Sequence, residues 1–203
     1  MYQLDPIERP SPGPQAFVVT TAEDQYWFEY RAAPERSDRG DSLGAGLIVH
    51  VSTSPDLDRS SVNAMTNVLV ENPAGRKRPE LRAGDRFGRS GAFSLTTLKA
   101  APGKTRFRFR WTDSVAPRRP RFTADVVAGK LRVTLESAAD RGSGLSRYRV
   151  VVDARPPQRL AGDATEEPVV VGKPLPGTHT VTVVAIDRAG NRSAPAVRHV
   201  RVQ

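Results

Sequence analysis

The chain has 203 residues, the size of one large or two small domains, and 38% of them are hydrophobic. It carries 31 Lys plus Arg against 22 Asp plus Glu, a formal charge of +9, with Arg well ahead of Lys. There is no cysteine, which excludes disulfides and thiolate metal sites, and no window approaches the ~18 uninterrupted apolar residues of a membrane span.

The opening stretch, "MYQLDPIERPSPGP", has no charged segment followed by an apolar one. It does not read as a secretion signal, so the chain is expected to be cytosolic or cut from a longer protein. "FVVT" (17–20) and "YWFEYR" (26–31) follow as short apolar runs between turn residues, then "GLIVHV" (46–51), "NVLVE" (67–71) and "FSLTTL" (93–98). "TRFRFRW" alternates most cleanly. Thr105, Phe107, Phe109 and Trp111 share one face and Arg106, Arg108 and Arg110 the other, which only an extended strand separates.

"TDSVAPRRPR" (112–121) comes next, and its prolines cannot donate to a ladder, so the sheet is expected to end there. Beyond it, "LRVTLE" turns Leu131, Val133 and Leu135 inward. "YRVVVD" offers Tyr148, Val150 and Val152, and "THTVTVVAID" offers His179, Val181, Val183 and Ala185. No stretch carries apolar residues at three-and-four spacing. The pattern predicts an all-β chain of two tandem antiparallel β-sandwich domains, 1–112 and 121–203, joined by a Pro-rich linker over 113–120.

Candidate chemistry is sparse. In "YWFEYR", Trp27, Glu29 and Arg31 share a face and Tyr26, Phe28 and Tyr30 the opposite one. Neighbours on one face sit ~7 Å apart, so Glu29 is expected to pair with Arg31 or a cross-strand cation, as a structural charge. A catalytic acid needs a positioned partner, and only Asp41 and His50 stand near it in sequence. "GRSGA" (88–92) is no nucleophile elbow, because Ser90 lacks a glycine two positions on. Asp187 and Asn191 bracket a tight turn in which Gly190 can take positive φ. With Asp140 they could offer oxygens to calcium, but Arg141, Arg188 and Arg192 occupy the same loops and oppose a dication. Neither a catalytic set, a metal site nor a cofactor is assigned. The basic balance favours anionic partners, and the Arg106, Arg108 and Arg110 face is the candidate anion-binding surface. The scattering of the other arginines argues against nucleic acid.

Two resemblances bear on these residues. "APRRPRF" (116–122), "DRGSGLSRYRV" (140–150) and "LPGTHTVTVVAIDRAGNRSAP" (175–195) resemble the first strand, third strand and sixth strand of a fibronectin type III or bacterial immunoglobulin-like module. His179 stands where this fold often has a corner tyrosine, and Leu135 stands near the place of the usual second-strand tryptophan. "YWFEYR", "GAGLIVHV" (44–51) and "NVLVENPAGRKRPELRAGDRFGRSGAFSLTTL" (67–98) together resemble the β-sandwich that follows the catalytic domain in secreted bacterial zinc metallopeptidases of the gametolysin and immune-inhibitor type. The zinc signature is absent: His50, His179 and His199 lie far apart. The resemblance implies a non-catalytic, extracellular or cell-surface accessory region whose partner is a metallopeptidase catalytic domain or a surface polymer. The alternative is a stand-alone module binding carbohydrate or polyanion. A row of exposed aromatics would favour carbohydrate, and a continuous arginine surface would favour polyanion.

Overall fold

The computed structural model describes residues 1–32, 46–52, 68–69, 80–101, 103–165 and 168–203. Asp41, Gly44 and most of the 67–79 stretch lie outside them. The chain is all-β and divides into two compact units, Met1–Asp113 and Ser114–Gln203. Among the described residues no helix is long and apolar enough to cross a membrane.

The first unit contains β1 (Tyr2–Leu4), β2 (Ala16–Thr20), β3 (Gln25–Arg31), β4 (Gly46–Ser52), β5 (Val68–Leu69), β6 (Glu80–Leu81), β7 (Arg86–Arg89), β8 (Phe93–Ala101) and β9 (Lys104–Trp111). One antiparallel sheet runs β1-β9-β8-β7, the other β2-β3-β4-β5, with β6 also paired to β4. Period-two alternation decides which side chains the two sheets bury between them. Tyr26, Phe28 and Tyr30 of β3 point in and meet Phe93, Leu95 and Phe107 of the facing sheet. Edge-on aromatic pairs fill the gap: Phe17 and Phe107 at 5.2 Å, Tyr26 and Phe93 at 4.9 Å, Phe28 and Phe87 at 5.8 Å between centroids. Each buried ring contributes roughly 1.5–3 kcal/mol of transfer free energy.

The turn over "LRAGDRF" is built by its own chemistry. The Arg82 amide donates to Asp85 Oδ2 at 2.8 Å, the Asp85 amide to the Arg82 carbonyl at 2.9 Å, and Gly84 sits at φ +92°. Leu81 and Phe87, on either side, are both buried.

The second unit contains β10 (Phe122–Val127), β11 (Lys130–Leu135), β12 (Leu145–Val152), β13 (Gln158–Ala161), β14 (Val169–Gly172), β15 (Gly177–Asp187) and β16 (Ala196–Val202). Sheet β10-β11-β14 faces sheet β13-β12-β15-β16, an immunoglobulin-like sandwich. Its core is mostly aliphatic: Leu131, Val133, Leu135, Val150, Val181 and Val183, with Phe122 and Tyr148 as the aromatic members. Tyr148 is buried, its hydroxyl accepts the Ala138 amide at 2.9 Å, and burial raises its pKa.

The linker expected over 113–120 is a correction. Residues 114–120 belong to the second unit: Pro117 and Pro120 are buried, and the Arg118 amide donates to the Ala139 carbonyl at 2.9 Å. Proline cannot extend a ladder, but its ring can still pack, so the segment becomes the sandwich's lead-in rather than a spacer.

His179 makes a backbone bond of the kind a corner tyrosine makes in sandwiches of this architecture. Its Nε2 lies 2.7 Å from the Leu175 carbonyl, four residues upstream, and its Nδ1 lies 2.8 Å from Asp153 Oδ2. Both partners are acceptors, so only the imidazolium donates to both. The Asp153 hydrogen bond, then the Leu175 carbonyl, raises the His179 pKa; the same His179 bond, then the Thr180 amide, lowers that of Asp153. The stabilisation from His179 is complete below the ordinary imidazole value of 6.5 and fades as pH climbs through its raised pKa. The Asp153 share is complete above 3.8 and fades as pH falls through its lowered pKa. His179→Gln should therefore lower Tm most between about pH 4 and 6.5, and less at pH 9. A Tm deficit that stays flat from pH 5 to 9 would remove the charged pair from the account.

Candidate anion-binding faces

Arg106, Arg108 and Arg110 are all exposed on the outer face of β9, while Thr105 and Phe107 are buried and Phe109 and Trp111 half-buried. Register decides what stands beside them. Arg108 lies across from Thr96, and Thr96 from Arg86. Arg110 lies across from Ser94, and Ser94 from Gly88. Arg106 sits between Gln3 on β1 and Lys99 on β8, whose ladder shifts between Thr97 and Lys99. Five cations, Arg86, Lys99, Arg106, Arg108 and Arg110, therefore stand among Gln, Ser, Thr and Gly on one sheet face. The four strands carry no acidic residue. Among the described residues none of the five makes an ion pair.

Small residues keep this face open on its β7 side. A Cβ at Gly88 would come within 2.4 Å of the Phe93 carbonyl oxygen, so the strand pair accepts only glycine without shifting. An open trough of about 490 Å³ runs there, lined by Arg86, Gly88, Arg89, Ser94 and Thr112. Ser90 lies in the exposed turn after β7, beside Gly91 at φ +73°.

Several other charged residues of the first unit are tied into the fold. Arg89 bridges the two sheets, reaching Asp24 and Glu23 in the β2–β3 turn. Asp24 is buried and also accepts the Tyr26 hydroxyl at 3.0 Å. Burial raises the Tyr26 pKa, partly offset by Arg89. Glu29 Oε2 lies 3.9 Å from Arg31 and 3.4 Å from His50 Nε2. The register sets Trp27 opposite His50 and Glu29 opposite Ile48, so the imidazole reaches diagonally across the strands. Glu80 is buried and its Oε1 accepts from Arg82 at 2.7 Å.

In the second unit, both oxygens of Asp187 accept from Asn191: the amide N–H at 2.7 Å and the side-chain Nδ2 at 2.8 Å. Gly190 takes φ +96° between them, and the Asp187 amide donates to the Asn191 carbonyl at 3.1 Å. Asp187 is buried and this double clasp fixes the turn after β15. Asp140 and Asp187 bring a carboxylate oxygen each to within 4.8 Å, and Asp140 Oδ2 accepts the Gly144 amide at 2.5 Å. Burial lowers the Arg188 pKa against the opposing pull of Asp140 and Asp163; its guanidinium donates to the Ser143 carbonyl at 3.2 Å.

Sequence reasoning alone misses Arg86 and Lys99 as neighbours of the β9 arginines. Neither lies within ten residues of Arg110 in a recognisable motif; only strand pairing brings them together. Exposed aromatic side chains are few: among the described residues Tyr2 is the one large aromatic that is clearly exposed, at 45%. It still stacks on Phe107 at 5.6 Å.

No known protein family matches the chain, and no curated protein does. Two solved structures show a distant likeness. The spore cortex lytic enzyme SleM of Clostridium perfringens is 18% identical over 53% of this chain, with a TM-score of 0.39; the chain spans 38% of that protein's length. The d3–d4 extracellular domains of rat CD45 are 15% identical over 97% of this chain and 99% of theirs, with a TM-score of 0.37.

Proposed function

We propose that the chain is a non-catalytic binding region whose first module holds an anionic polymer against the outer face of β7, β8 and β9. The observation that carries this reading is the cross-strand array of Arg86, Lys99, Arg106, Arg108 and Arg110 on strands that carry no acidic residue. Guanidinium groups bind carboxylate, sulfate and phosphate bidentately, and a row of them follows a charged chain better than a single pocket does. The scarcity of exposed aromatics supports polyanion over neutral carbohydrate, which is held by stacking on open ring faces.

The setting implied by the metallopeptidase resemblance fits this role. There the module would lie outside the cell and hold a zinc peptidase domain near an anionic surface or substrate. The buried or paired state of Asp24, Glu29, Glu80 and Asp187 supports a structural use of those carboxylates.

A polymer panel tests the reading. The chain should bind heparin and polyglutamate at low salt and release both as salt rises, while neutral dextran is not bound. Binding to dextran of equal strength, or no binding to either polyanion at low salt, would overturn it.

A further inference from the structure

The second unit carries a separate arginine groove. On the outer face of β12, Arg147 and Arg149 are exposed two residues apart. Arg149 stands directly opposite Arg159 of β13. On its other side, Arg147 stands opposite Ile186 of β15, and Ile186 is bridged in turn to Arg192. Four guanidinium groups thus converge from two strands and a turn. They enclose a groove of about 360 Å³, lined by Arg147, Arg149, Pro157, Arg159, Ile186 and Arg192.

Two features set this groove apart from an ordinary decorated surface. Opposed residues of an antiparallel pair lie ~5 Å apart at Cα, and like charges placed so repel. A single carboxylate on β13 or β15 would relieve the Arg149–Arg159 pair. Yet β12 and β13 contain no acidic residue, and Asp187 of β15 is turned inward. Among the described residues none of the four guanidinium groups has an ion-pair or hydrogen-bond partner. The groove is also not wholly polar. Ile186, 5% exposed, forms an apolar floor between Arg147 and Arg192, with Pro157 at the rim.

The structure assigns this groove to a tetrahedral oxyanion ester, a phosphate or sulfate group attached to a carbon body. The oxyanion takes the forked donors of Arg147, Arg149 and Arg159, and the carbon body covers Ile186 and Pro157. A volume of that order holds a monoester of one ring, within the usual range for small-ligand sites. The site is independent of the polymer face, since it lies in the other unit and shares no residue with it.

Titration of the full chain with phenyl phosphate, phenyl sulfate and inorganic phosphate, followed by amide and arginine Nε chemical shifts, tests the assignment. At least one of the two esters should bind saturably, about tenfold or more tighter than inorganic phosphate, with shifts on β12, β13 and the Ile186–Arg192 turn. Whichever ester binds more tightly identifies the oxyanion. Arg149→Gln and, separately, Arg159→Gln should weaken that ester about tenfold, while Lys130→Gln, at an exposed position on the other sheet of the same unit, leaves it unchanged. Both groove arginines are exposed, and an unchanged Tm confirms that the variants fold. The assignment fails if neither ester saturates, if inorganic phosphate binds as tightly as the esters, or if the two groove variants bind as the parent does.

Discussion

Reversing Arg106, Arg108 and Arg110 together to glutamate should weaken heparin binding by about 10–150-fold at low salt. Each exposed contact is worth about 0.5–1 kcal/mol, and three of them lost sum to that range. Replacing the same three with alanine is the gentler form. It should reduce the steepness of the salt dependence by about one for each arginine removed. Stability should hardly change in either variant, because all three side chains are exposed and unpaired among the described residues while the inward face of β9 is untouched. Equilibrium binding across a salt series checks both. A triple-glutamate chain that binds heparin like the parent would place the polymer elsewhere.

Arg89→Met should destabilise the first unit by about 2–3 kcal/mol. The change strands Asp24, whose side chain is only 10% exposed and which keeps a single hydroxyl partner, Tyr26. Breaking a fully buried pair costs more, about 3–5 kcal/mol, but Arg89 is itself 41% exposed and water partly replaces it. Neutralising the stranded group should restore much of the loss: Asp24→Asn in the Arg89→Met background should be more stable than Arg89→Met alone. Urea unfolding of the four chains of this cycle measures the coupling. A coupling below about 0.5 kcal/mol would mean that the bridge between the sheets is only a surface contact.

The alternation of "TRFRFRW" let the sequence state which side of β9 is wet and which is dry, because a strand's period is two whatever it pairs with. The same rule placed Leu131, Val133 and Leu135, then Tyr148, Val150 and Val152, on one buried face each. Short strands escaped it. β7, β13 and β14 are each four residues long and offer too few alternations to read. β16, "AVRHVRV", was hidden by its exposed Arg198, His199 and Arg201, as befits an edge strand.

The sites were less legible than the fold for a related reason. Arg106, Arg108 and Arg110 lie on one strand, so sequence could propose them, but the continuity supplied by Arg86 and Lys99 depends on register. The Arg147, Arg149, Arg159 and Arg192 groove depends on two strand pairings and a bridge, and nothing in the spacing of those four residues announces it. Arg89 and Asp24 are 65 positions apart, and only the closing of one sheet over the other brings them together.

Mapping where a short polyanion sits is the most direct measurement. Amide chemical shifts of the full chain, titrated with a heparin-derived hexasaccharide, should move along β7, β8 and β9, centred on Arg108 and Thr96. Shifts confined to the β3–β4 face around Trp27 and His50, or no saturable shift at low salt, would contradict the account.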